Sequence, residues 1–295
     1  MSEVISEMAL ADEKVSFARW LGVHLSWRST PVIFSVVVIL GFIAVAVTIP
    51  LWSPYDPVGL AGRRLQPPSA THWIGTDALG RDVLTRTLWG TRYSLPIAAF
   101  VLGVGVSIGV LVGAVAGFVG GIVDNVLMRL ADITLAFPPI LLAMAIAASL
   151  GPGLIHTAIA LIIVWWPIYA RLMRAQVLNI KQLDHVDAAI VSGAHPLRVL
   201  SKHIMPLCWS PILVNATMDV GQVILLASGL SFVGLGAQPP TPEWGQMIAE
   251  GASNFYSWWI AFGAGMAIFL LSLCFNFLGD GVRDLFDPHE RAKSP

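Results

Sequence analysis

Two carboxylates in apolar surroundings are the first groups in this chain that could do chemistry. Asp132 precedes an Ile-Thr-Leu-Ala-Phe-Pro-Pro stretch ending at Pro139, and Asp219 lies inside a long apolar run. Two carboxylates carry out general acid–base work, such as intramembrane peptide hydrolysis, when both converge on one wet cleft. Asp132 reads as lying near one membrane face and Asp219 as lying deeper, which argues against convergence. Asn215, Asp219 and Gln222 recur at i, i+4 and i+7 and so share one helical face. An ionisable residue within a span is costly and faces a bundle interior or a wet cavity. Such a face either lines a solute path or packs between helices or subunits. A third cluster is Gly75-Thr-Asp-Ala-Leu-Gly-Arg-Asp82. Asp77, Arg81 and Asp82 there suit a structural ion-pair turn, with the aspartates accepting from backbone N–H groups or from Arg81, better than a catalytic pair.

Signatures of enzymatic sites are missing from the sequence. It has no Gly-x-x-x-x-Gly-Lys-Ser/Thr loop to cradle a nucleotide, no His-Glu-x-x-His and no Gly-x-Ser-x-Gly. The seven histidines are scattered, and Cys208 and Cys274 lack metal-ligand spacing and read as small core residues. No metal site and no catalytic residue are expected.

The elements that must position these residues are membrane spans. Of 295 residues, 56% are hydrophobic and 12% charged, and the mean hydropathy is +0.75. Soluble domains carry about 25% charged residues, so the chain reads as an all-α polytopic membrane protein in contact with lipid. A net charge of −1 gives no indication of nucleic acid. Six stretches, 31–52, 95–119, 133–150, 153–170, 211–234 and 258–279, approach the about 20 apolar residues that a crossing needs. With the N-terminus inside, inner segments hold twelve Lys/Arg (Lys14, Arg19, Arg28, Arg129, Arg171, Arg174, Lys181, Arg198, Lys202, Arg283, Arg291, Lys293). Outer segments hold five (Arg63, Arg64, Arg81, Arg86, Arg92), which favours an N-in, C-in arrangement. Residues 1–30 form an inner tail and 289–295 another, flanking a membrane domain over 31–288. Residues 1–16 are polar and acidic, so no cleavable signal is expected. Residues 17–28 mix Trp and Leu with Arg and predict an interfacial helix.

Local features refine this plan. Gly109, Gly113 and Gly117 form a small-residue stripe for close helix packing. Gly151-Pro-Gly153 predicts a tight hairpin. Phe137-Pro-Pro139 should kink or interrupt the third span, and Arg129 can pair with Asp132 across one turn. Loops of about 53–94 and 235–257 fall outside, the first with an amphipathic surface helix near Val83, Leu84 and Leu88. Trp244, Trp258 and Trp259 suit the interface belt.

Between the fourth and fifth spans lies a polar island, about 171–210. Residues 171–206 gather five of seventeen Lys/Arg and three of seven His. A helix over 183–192 should end at Gly193, which tolerates positive φ. Pro196 fits the first turn of the next helix. Ala188 and Ala189 leave a smooth patch that another protein could approach closely; a solvated loop with ordinary caps is the plainer alternative.

Five stretches together resemble one family. The Asp187-Ala-Ala-Ile-Val-Ser-Gly193 segment, followed by Met205-Pro206, resembles the coupling loop of ABC-importer permeases, with Asp187 in place of the usual Glu. Gly75-Thr-Asp-x-x-Gly-Arg-Asp82, Asp132-x-x-Leu-Ala-Phe-Pro138, Ser231-Phe-x-Gly-Leu-Gly-x-Gln-Pro-Pro-x-Pro-x-Trp-Gly245 and Asn276-x-x-Gly-Asp-x-x-Arg-Asp-x-x-Asp-Pro288 are similar to the C-type permeases of dipeptide, oligopeptide and nickel importers. The resemblance implies a type I importer fold with six spans, paired with a B-type permease. It implies that Asp187, Ala188, Ala189, Gly193 and Pro206 shape the contact with one of two ATPase subunits, where ATP and Mg bind; this chain needs no cofactor of its own. Asn215, Asp219 and Gln222 would line or abut the translocation path. Asp77, Arg81, Asp82, Gln238 and Trp244 would belong to outer loops that meet an extracytoplasmic substrate-binding protein. The expected solute is a di- or oligopeptide, with nickel, a nickel chelate or glutathione as alternatives.

Overall fold

The structure, a computed structural model, describes residues 30–286. The interfacial helix expected over 17–28 and both terminal tails lie outside this range. The described chain is helical: α1 (Thr30–Trp52), α2 (Val83–Val119), α3 (Gly121–Leu135), α4 (Pro139–Leu150), α5 (Leu154–Ile180), α6 (Asp184–Val191), α7 (Pro196–Phe232), α8 (Trp244–Ser253) and α9 (Trp259–Phe286). Five of these are long and apolar enough to cross a membrane, and the α3–α4 pair, bent by 90°, makes a sixth when counted as one broken span.

The bend interrupts the third expected span at Phe137-Pro-Pro139, as the two prolines predict. Pro138 and Pro139 cannot donate backbone hydrogen bonds, so the helix stops at Leu135 and restarts at Pro139. Asp124 and Asp132 both lie within α3. At about 1.5 Å per residue, the 12 residues of α4 cover only part of a hydrocarbon core about 30 Å thick.

Two helices reach well past the bilayer. α2 has 37 residues, about 55 Å by the same rise. The amphipathic segment expected as a separate surface helix is therefore the first three turns of α2, continuous through Pro96 into the span. α7 extends equally far at its start, through a π-helical stretch Val199–Ile204.

Glycines set the closest helix contacts. A Cβ on Gly109 would stand 2.5 Å from the Trp166 carbonyl oxygen, and one on Gly113 would collide with the Ala170 carbonyl oxygen. Gly117 faces Arg174 and Val177 in the same progression. The stripe thus seats α2 in parallel against the backbone of α5, as its spacing predicts. On the other flank Gly221 meets Ser272 and Gly279 meets Met218, which draws α7 against α9.

The two ends of the described stretch lie together, since a Cβ on Gly281 would touch Val32. That end of the bundle also carries Asp124, Arg129, Arg171, Arg174, Lys181 and α6. The opposite end holds the 53–82 loop, the Gly151–Gly153 hairpin, whose Gly153 N–H donates to Leu235 O at 3.0 Å, and α8. The described residues therefore begin and end on one side of the bundle. The cationic end is the cytoplasmic one.

Candidate functional site

Three regions carry the predicted residues. At the inner end, α6 runs from Asp184 to Val191, close to the predicted 183–192. Its C-terminus closes as the glycine rule requires: Gly193 has φ +79°, its N–H donates to Ile190 O at 3.0 Å, and the Ala194 N–H donates to Ala189 O at 3.1 Å. These two bonds form the Schellman arrangement. His195 caps the next helix, its Nδ1 accepting from Leu197 N–H at 3.3 Å, and Pro196 occupies the first turn. Val186 is fully buried and anchors α6 to the bundle. Asp187, Ala188, Ile190, Gly193 and Pro206 are exposed, Val191 is 87% exposed, and Ala189 is half-buried. The helix therefore shows solvent a mixed acidic and apolar face.

Within the spans, Asp219 is half-buried, while Asn215 and Gln222 are exposed on the described chain. Asp219 Oδ2 accepts from Trp165 Nε1–H at 2.9 Å and from the Tyr169 hydroxyl at 2.7 Å. Trp165 and Tyr169 stand four residues apart and so present one face of α5 to α7. Asn215 Nδ2 donates back to Pro211 O at 2.8 Å. Nothing in the sequence singled out Trp165 or Tyr169; an aromatic pair at i, i+4 opposite a lone carboxylate was the available signal.

The Asp132–Asp219 dyad does not form. Asp132 Oδ1 pairs with Arg171 Nη2 at 2.8 Å, with both side chains at least half exposed. That replaces the expected partner Arg129. Tyr169 and Arg171 are two residues apart, about 200° around a helix. The two carboxylates consequently attach to opposite faces of α5. A second inner pair joins α3 to α5, with Arg174 Nε and Nη2 donating to the two oxygens of Asp124 at 2.5 and 2.6 Å.

At the outer end the aspartates cap turns, as their spacing suggests. Asp77 Oδ1 accepts from Leu79 N–H and Arg81 N–H, each at 2.9 Å, and Oδ2 accepts from Arg81 Nε at 2.5 Å. Asp82 is the N-cap of α2, accepting from Thr85 N–H at 2.8 Å, and its other oxygen lies 2.9 Å from His72 Nδ1. The network then extends to a partner far away in the chain. Arg81 Nη2 reaches Glu250 Oε2 on α8 at 2.9 Å. Arg86, with a side chain 1% exposed, donates to Pro57 O at 2.9 Å and lies 3.4 Å from Asp77 Oδ2 and 4.0 Å from Glu250 Oε2. Burial, then the nearby negative Asp77, holds the Glu250 carboxyl above the usual range against the pull of Arg81 and Arg86. Trp244 is fully buried, donating from Nε1 to Thr87 O at 2.9 Å, instead of lying in an interface belt. Trp258, 60% exposed, suits the belt, and half-buried Trp259 donates to Thr76 O at 3.0 Å.

These burials correct one expectation. Asp77, Arg81, Asp82 and Trp244 have no surface to offer a binding protein, because each is 4% exposed or less. Only Gln238 of that set is exposed, its amide donating to Gly234 O and Gly236 O. The four buried residues shape the outer loops from within.

Comparison with known proteins agrees with this architecture. Residues 109–292 match the family described as binding-protein-dependent transport system inner membrane component. The chain is 38% identical over 295 residues to the probable D,D-dipeptide transport system permease protein of Escherichia coli (strain K12), covering 98% of this chain and 99% of that one. It is 42% identical over 260 residues to the dipeptide transport system permease protein of Alkalihalophilus pseudofirmus, covering 87% and 85%. It is also 42% identical over 254 residues to the glutathione transport system permease protein of Pectobacterium atrosepticum, covering 84% of each. A transporter subunit, and not an intramembrane hydrolase, is what the separated carboxylates and these matches describe. The chain belongs to the inner membrane components of binding-protein-dependent transport systems.

Proposed function

We propose that this chain is one of two permease subunits of an ATP-driven importer for short peptides, pairing with a B-type permease and carrying one ATPase subunit on α6. Support for the docking site comes from one observation above all. α6 is anchored by buried Val186, stopped by Gly193, and turns Asp187, Ala188, Ile190 and Val191 outward at the cationic, cytoplasmic end. A rigid helix with exposed apolar tips and little side-chain bulk at Ala188 and Ala189 suits a groove on a soluble partner. ATP and Mg belong to the two ATPase subunits. The outer loops around Gln238 receive the substrate-binding protein. Peptides are the preferred solute over nickel, because the relatives are named for dipeptide, D,D-dipeptide and glutathione transport.

The test is Gly193→Val. No atom lies within 4 Å of a Cβ built at this position, so a clash is not the issue. A left-handed backbone costs a non-glycine residue about 1–2 kcal/mol, and a β-branched side chain will pull the Schellman turn open. The variant should reach the membrane in normal amounts and lose at least about tenfold in peptide uptake per ATP hydrolysed. Normal coupling would remove α6 from the ATPase contact. Gentle purification followed by mass spectrometry tests the partners: a second permease, ATPase subunits and a binding protein should accompany the chain, and recovery of the chain alone would contradict the assembly.

A further inference from the structure

We propose that Asp219 is a transit site for the free α-ammonium group of the peptide, a reading that rests on the importer function above and deepens it. Asp219 lies in the middle of α7, within a crossing, and its hydrogen-bond donors are both neutral: the indole N–H of Trp165 and the hydroxyl of Tyr169. Among the described residues no Lys, Arg or His stands within ion-pair distance of it. Asp124 pairs with Arg174, Asp132 with Arg171, and Asp77 and Glu250 with Arg81; Glu243 at the outer end also lacks a base, but three donors from Ser94, Ser228 and Gln246 N–H occupy its two oxygens. A carboxylate inside the membrane pairs with another group or faces a wet cavity, and no described residue supplies a cation to Asp219.

The surroundings select what that cation is. Both donors converge on Oδ2, which fixes the carboxylate plane and leaves Oδ1 to take a further donor. Asn215 and Gln222, one turn before and about one turn after, are exposed on the same face and can bond peptide amide groups. Trp165, 3% exposed, and Tyr169, fully buried, hold the carboxylate from the interior of the bundle through their ring edges. A dipeptide and glutathione differ in side chains and length, yet each carries a free ammonium. A single carboxylate that reads this group serves such solutes without reading the rest of them.

The experiment uses the complete transporter, reconstituted in proteoliposomes with its co-purifying subunits and binding protein, and dialanine as probe. Asp219→Asn keeps an oxygen that accepts from Trp165 and Tyr169 and removes only the charge; Asp219→Glu keeps the charge. Dialanine uptake should fall at least tenfold for Asp219→Asn and stay within threefold of the original for Asp219→Glu. Occupancy is read separately at Asn215→Cys, since the native Cys208 and Cys274 are buried. Millimolar dialanine should slow alkylation there, N-acetyl-dialanine should not, and the protection should vanish when Asp219→Asn is added. Equal uptake by Asp219→Asn overturns the inference while leaving the importer reading intact. Loss of the second permease from the purified Asp219→Asn complex also overturns it, in favour of a cation supplied by that subunit. Absence of dialanine uptake by the unaltered transporter strikes the peptide-importer reading itself, and the inference falls with it.

Discussion

Arg81 and Arg86 lie buried at the outer end of the bundle, shared between Asp77 and Glu250, whereas at the inner end Arg171 meets Asp132 in the open and α6 displays its apolar tips to solvent. The same residue types do different work in the two places. Outside, the charges join the 53–82 loop, the start of α2 and α8 into one body, and Pro57 O and Gln246 Oε1 accept further bonds from Arg86. Inside, the contacts leave α6 attached mainly through Val186 and its flanking turns. The importer proposed above needs an outer surface that keeps its shape and, in that proposal, an inner helix that a partner can grip. The contrast shows that arginine placement alone does not report orientation: two of the five outer arginines are neutralised within the protein and present no charge to the membrane surface.

The largest expected break in this comparison is Arg86→Ala. Removing one partner from a buried ionic network leaves Asp77 and Glu250 undercompensated, at a cost of about 3–5 kcal/mol. The purified variant should melt far below the parent or fail to accumulate, and a melting temperature within a degree of the parent would show that the outer network is not a clamp. Next is Gly113→Val, which forces a side chain into the Ala170 carbonyl on α5. Overpacking of this kind costs about 1–3 kcal/mol, and a fall in thermal stability larger than that of Gly103→Val, where a Cβ meets nothing within 4 Å, is the expected reading. Smallest is Arg171→Ala. The Arg171–Asp132 pair is exposed on both sides, so its loss should change stability by about 0–1 kcal/mol. A drop matching that of Arg86→Ala would erase the difference between the two ends.

How much of the site was legible follows from how local each signal was. The Gly193 stop, the Pro196 start, the Asp82 cap and the Phe137-Pro-Pro139 break each depend on backbone geometry within a few residues, and each is found where the sequence put it. The glycine stripe on α2 announced a close contact without naming the partner. Partners distant in the chain were invisible: Arg81 to Glu250 spans 169 positions, and Trp165 to Asp219 spans 54. Asp132 was paired with Arg129 on the strength of helical spacing, but the packing of α3 against α5 brought Arg171 nearer.

By itself the sequence determined that this is an all-helical polytopic membrane protein with a stopped, exposed helix in the polar island between two apolar segments, because hydropathy and Gly/Pro backbone preferences act over short stretches of chain. The tertiary structure decided which polar groups are surface and which are interior. Asp77, Arg81, Asp82 and Trp244, all expected to face outward, are inside, since only the folding of α8 over the first turns of α2 closes water away from them. It also decided that Asp132 and Asp219 never meet, because the helix between them turns their partners to opposite sides.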